Sequence, residues 1–174
     1  MTFEIHSDIT NRSMTVAARA MRKVLRRKRS IIWAIFGWTV FFINALLLIP
    51  FDGEPFTLDV TTVTALLVEV MLLSVLLFRY RFNGMIACKN TLAGTKAYHF
   101  VFGEDSYTII TEVGTSTFHY ELIDALAESQ EYIILLMKKR YAQPLDKRTL
   151  IGGTVEEFKR FLEEKTGKTF RRVK

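Results

Sequence analysis

The spacing of apolar positions changes several times along the chain, and each change predicts an element. Residues 1–11 alternate, with Phe3, Ile5 and Ser7 on one side and Glu4 and His6 on the other, as a short strand does. Over residues 11–29 the step becomes three and four: Met14, Ala17, Ala18, Met21, Val24 and Leu25 share a face opposite Arg12, Arg19, Arg22, Lys23, Arg26 and Arg27, which predicts a basic amphipathic helix. Then the period disappears. Residues 31–49 and 60–78 are continuous apolar runs of 19 residues each, the first without a charge. At 1.5 Å per residue each helix is about 28 Å long, close to the hydrocarbon thickness of a bilayer. A cleaved signal peptide is rejected. About 30 residues precede the first run, and the run exceeds the 7–15 apolar residues such a peptide needs.

Beyond the second run, residues 79–94 read as a helix frayed around Asn83–Gly84 and ended by Gly94. From Lys96 the period is that of strands. Tyr98, Phe100 and Phe102 share one face of a first strand, and residues 103–106 turn. Residues 107–112 and 117–122 make a second and a third strand, 123–128 a connection, 131–138 a buried strand, and 141–145 a last one. The closing helix starts with a capping box, Thr154 with Glu157 three residues on, and Gly167 is placed to end it. Val155, Phe158, Phe161 and Leu162 form its apolar stripe. The predicted fold is an α+β membrane protein: a transmembrane helical hairpin, then a small antiparallel β domain with a C-terminal amphipathic helix. The predicted divisions are 1–29 (strand and basic juxtamembrane helix), 30–79 (hairpin), 80–95 (connecting helix) and 96–174 (β domain).

Charge orients the hairpin. The formal net charge is +6, but Asp52, Glu54 and Asp59 fall between the two runs with no Lys or Arg beside them. Arg22, Lys23, Arg26, Arg27, Lys28 and Arg29 crowd the entrance to the first run, and Arg79 and Arg81 the exit of the second. Basic residues stay on the cytoplasmic side, so the chain is expected to cross the cell membrane twice with both termini in the cytoplasm. The lone Cys88 has no partner for an internal disulfide and reads as apolar filler.

Glu69 stands at the middle of the second span, where an ionised carboxylate costs several kcal/mol; it must be neutral, paired or turned to a polar cavity. Counted from the outer ends, Asn44 is about 9 Å deep and Glu69 about 13 Å, so an antiparallel hairpin brings them within reach. Thr39 is the other candidate. A single acid with no basic partner makes a poor ion pathway, so a neutral carboxyl clamping two helices, or two subunits, by hydrogen bonds is preferred to a relay.

The basic residues Arg19, Arg22, Lys23, Arg26, Arg27, Lys28, Arg29, Arg79 and Arg81 are placed to contact anionic headgroups, at about 1 kcal/mol per basic residue near the surface. Nucleic acid is not expected, because no aromatics are interleaved for base stacking.

The order of a basic N-terminal region, a two-span hairpin, F-x-F-GEDSYTIITEVG, FHYELIDALAESQEYIILLM and PLDKRTLIGGTVEEFKRFLEEKTG resembles the YcxB-like family of bacterial membrane proteins. The resemblance implies a cytoplasmic domain similar to bacterial pleckstrin-homology-like modules, and it implies no reaction.

Chemistry is sparse. Gly152–Gly153–Thr154 lacks the Lys and the earlier Gly of a phosphate loop. His6, His99 and His119 are not at metal-ligand spacing, and no catalytic set or cofactor motif stands out. The reading is a membrane-anchored, non-enzymatic interaction module, with membrane lipids, an unidentified protein or a second copy as partners. The alternative is a small oligomeric transporter subunit or ion-coupled sensor built around Glu69.

Overall fold

The strand β6 (Tyr132–Met137) is apolar without a break because both of its faces are covered. Ile133, Leu135 and Met137 enter the main core, while Tyr132, Ile134 and Leu136 meet helix α1 (Asn11–Val24). The computed structural model that shows this describes residues 2–47, 59–91, 95–137 and 141–173. The acidic connector with Asp52, Gly53, Glu54 and Pro55, together with Pro50, Gly94 and Lys138, lies outside the described residues.

Two four-stranded sheets make up the β domain. The first runs in the order β1 (Phe3–Asp8), β2 (Ala97–Phe102), β3 (Ser106–Thr111), β4 (Gly114–His119), antiparallel throughout. The second has the order β7 (Tyr141–Asp146), β6, β5 (Ile123–Glu128), β8 (Phe170–Arg172), with only β8 joining its neighbour in parallel. Helix α4 (Val155–Thr166) closes the core through Phe158 and Leu162. Aromatic rings fill the centre. Phe3, Phe102 and Phe158 lie with centroids 4.8–5.4 Å from a ring neighbour, and Tyr120 donates its hydroxyl hydrogen to the Gly103 carbonyl at 2.7 Å. The α+β expectation with its closing helix is met.

Several expected boundaries move. The N-terminal strand is not part of a separate segment: β1 pairs with β2 from Phe3↔Phe102 to Asp8↔Ala97, so the division at residues 29 and 96 cuts apart what the fold joins. The helix expected over 11–29 ends at Val24, and α2 (Arg27–Leu47) starts afresh after a turn. Docking on the second sheet fixes the direction of α1, so the chain must bend to enter the bilayer. Residues 80–95 are no separate connector. Helix α3 (Val60–Lys89) runs unbroken through Asn83–Gly84, about 45 Å in all.

Residues 123–128 form β5 rather than a connection, and the strand expected at 117–122 is β4 followed by a 3-10 turn at Tyr120–Leu122. Ala125 and Ala127 hide the strand character of β5, because they are small where α1 packs close. Gly152, with φ +101°, sits where β1 passes: a Cβ there would lie 2.3 Å from the Thr2 carbonyl oxygen. This close approach, more than the helix start, explains the glycine pair before Thr154.

Among the described residues α2 and α3 are the two helices of a length and apolar composition that can cross a membrane. Most of their large side chains, among them Ile32, Phe42, Leu67 and Met71, are exposed. Their hydroxyls bond inward: Thr64 donates to the Val60 carbonyl and Ser74 to that of Val70, which satisfies each within its own helix.

Candidate functional site

The N-terminal end of α2 and the C-terminal half of α3 meet α1 in a band of positive charge. Arg27, Lys28 and Arg29 occupy the first turn of α2, with no acid among them. A helix N-terminus already carries partial positive charge, so this placement is locally unfavourable and suits an anion from outside. Tyr80 of α3 stands at the centre of the band. The guanidinium carbons of Arg19, Arg22 and Arg79 lie 5.7, 5.7 and 5.0 Å from its ring centroid. Burial first, and the positive charge of Arg79 second, pull the Arg22 guanidinium below its ordinary pKa. Like charges gathered on one ring repel, and a bound anion relieves that repulsion.

Beside this cluster is a cleft of about 820 Å³. Arg22 and Lys23 of α1, Arg27 and Ser30 of α2, Arg79 and Tyr80 of α3 and Arg171 and Arg172 of β8 surround its mouth. Ile31, Ala34, Ile35, Trp38 and Phe42 of α2 form its apolar wall, and Thr39 lies there too. Arg26 and Arg29 open into a second hollow of about 770 Å³ with Trp33 and Met71, and Arg19 and Arg81 into a third near Glu131. Lys28 is exposed on the first turn of α2. Apart from Lys28, the basic residues picked out in the sequence therefore each line at least one of these hollows. Arg171 and Arg172 were missed, because nothing near the end of the chain signals that β8 pairs with β5 and returns to α1.

The apolar stripe of α1 packs on the second sheet. Ala17, Ala20, Val16, Val24 and Leu25 pack into the cluster with Tyr132, Ile134, Leu136 and Val173, so this stripe faces protein and not acyl chains.

Within the spans, Glu69 is 9% exposed and neither of its carboxyl oxygens has a hydrogen-bond partner among the described residues. Asn44 is not that partner, since its side-chain amide donates to the Val40 carbonyl at 2.9 Å. No bond from Thr39 reaches Glu69 either. Among the described residues the clamp expected between the two helices is formed by neither Asn44 nor Thr39. An asparagine one helical turn beyond a carbonyl satisfies itself locally, which spacing arguments across the hairpin overlook.

In the β domain, Thr154 Oγ1 accepts from the Glu157 backbone NH at 3.2 Å and Glu157 Oε2 accepts from that of Thr154 at 2.7 Å, as the capping box requires. The bonds donated to the Glu157 carboxyl by the Thr154 backbone NH and by its hydroxyl hold that carboxyl below its ordinary pKa. His6 and His99 stack at 4.1 Å across β1 and β2, with His99 bonded to Glu4 at 3.1 Å, and His119 is exposed. Among the described residues no group of three His, Cys, Asp or Glu is placed to hold a metal ion.

Residues 102–162, from the end of β2 to α4, match the family described as YcxB-like protein. The chain carries a YcxB-like domain. The match begins after the hairpin, yet the YcxB-like domain is completed by β1 and α1 from in front of it. No curated protein and no solved structure matches the chain.

Proposed function

We propose that this chain is a membrane-anchored, non-enzymatic interaction module. Its hairpin holds the YcxB-like domain at the inner face of the bacterial cell membrane, with both termini cytoplasmic. One observation carries the reading: α3 passes unbroken from span to domain, and α1 is wedged between it and the second sheet. A domain joined this way cannot swing free of the membrane, so it presents one fixed side to partners. Exposed faces, including the edge strand β4, are then held at a constant height above the bilayer.

Crosslinking in native membranes, followed by mass spectrometry, tests the reading. A stoichiometric protein partner or a second copy of the chain is the expected product, and recovery of the uncrosslinked chain alone counts against it. Topology is checked separately with a Cys88→Ser, Glu54→Cys chain, which a membrane-impermeant thiol reagent should label from outside the cell.

The alternative, a transporter subunit or ion-coupled sensor, draws on the unpartnered carboxyl of Glu69. It requires several copies around a pathway, since two helices cannot enclose one; a strict monomer in mild detergent would dismiss it.

A further inference from the structure

We propose that the cleft between α1, α2, α3 and β8 is a binding site for one anionic phospholipid of the leaflet beside the domain. Its phosphate sits among Arg22, Arg79 and Arg172, and an acyl chain lies along α2. The proposal deepens the anchored-module reading and rests on it, because it needs the domain to face a leaflet.

Charge complementarity supports this occupant. Five arginines, Arg22, Arg27, Arg79, Arg171 and Arg172, reach the mouth from four elements, and among the described residues no carboxylate side chain lines it. Among the described residues none of the five has an acid within 4.0 Å, whereas Arg12 and Arg148 elsewhere each have one. The cationic mouth also opens onto a single apolar path. Ile31, Ile35, Trp38 and Phe42 follow one another at steps of four, three and four along one face of α2, a rise of about 16 Å into the bilayer. A free phosphate uses only the mouth, and an acidic protein segment has no need of a path that descends between lipids. A phospholipid matches both parts. The cleft volume of about 820 Å³ lies within the range of sites that enclose one small ligand. The site is therefore more specific than a basic surface attracted to a charged membrane, because its residues come from both ends of the chain and are brought together only by the fold.

The test uses the full chain in nanodiscs of equal phosphatidylglycerol and phosphatidylcholine, released and weighed by native mass spectrometry. One phosphatidylglycerol per chain should be retained, with phosphatidylcholine lost, and excess inorganic phosphate should not displace it. The double substitution Arg171→Gln, Arg172→Gln alters two exposed side chains and should weaken retention roughly thirtyfold. Lys96→Gln with Arg160→Gln removes the same charge from exposed positions outside the cleft and should leave retention unchanged. Unaltered retention in the first variant, an equal loss in the second, equal retention of the two lipids, or displacement by phosphate would each overturn the site. Partners captured by crosslinking without any retained lipid would end this proposal and leave the module; retained lipid without partners would do the reverse.

Discussion

Gly84 of α3 and Thr15 of α1 are in contact through their backbones: a Cβ built at residue 84 would lie 2.4 Å from Thr15 Oγ1 and 2.6 Å from its backbone nitrogen. Only a residue without a side chain lets the two helices come this close. The contact is where membrane hairpin and YcxB-like domain become one body, since the far side of α1 is packed into the second sheet. Gly84→Val should push the helices apart and destabilise the chain by about 1–3 kcal/mol, the usual cost of overpacking. Thermal unfolding in detergent, and faster protease cleavage at the turn after Val24, would show it. An unchanged melting temperature and cleavage rate would mean that the contact does not hold the two parts together.

Glu69 should respond in the opposite direction. Its carboxyl is enclosed without a hydrogen-bond partner among the described residues, and such a group costs about 1–3 kcal/mol. Glu69→Leu should therefore stabilise the hairpin by about that amount, whereas Glu69→Gln keeps an unsatisfied polar group and gains little. Detergent-denaturation midpoints of the three chains give the comparison. A less stable leucine variant would show that the carboxyl does meet a partner in the membrane.

Acid should loosen the corner where β5, α4 and the turn after β7 meet. Burial alone would raise the Glu128 carboxyl, but Lys147 and Lys159, bonded to it at 2.6 and 2.7 Å, outweigh burial and hold its pKa below the ordinary value. A carboxylate held down in the folded state adds stability above its unfolded pKa of about 4.3, and that share is lost as pH falls through the lower folded value. Wild type should lose stability between about pH 5 and pH 3 more steeply than Glu128→Gln. Denaturant midpoints across that range test the sign; parallel curves would remove Glu128 from the acid response.

Removing the cap of α4 should have a moderate local effect. Thr154→Ala deletes the acceptor for the Glu157 NH and should cost about 1 kcal/mol. Hydrogen exchange of the first turn of α4 should quicken while that of β6 stays slow, and uniform quickening in both would contradict a local cap.

Elements governed by near neighbours were readable from the residues. The two apolar runs, the capping box at Thr154–Glu157, the left-handed Gly167 and the paired strands β2 and β3 all depend on contacts within a few positions. Strand partners chosen at long range were not readable. Phe3 alternates with Glu4 as any strand would, but its pairing with Phe102 spans the whole hairpin. Ala125 and Ala127 lack strand propensity and join a sheet because Leu136, Ile134 and α1 surround them. Asn44 was matched to Glu69 by depth, and a carbonyl on its own helix claimed it instead.

Helix hydrogen bonds, caps and the solubility of a side chain in lipid are properties of short stretches. For that reason composition and spacing alone settled that two helices can cross a membrane and that a closing amphipathic helix follows the strands. Which surfaces meet depends on residues far apart in the chain. It took the folded arrangement to bring β1 in front of the hairpin into the sheet behind it, to turn the stripe of α1 toward protein, and to set Arg171 and Arg172 beside Arg22 and Arg79.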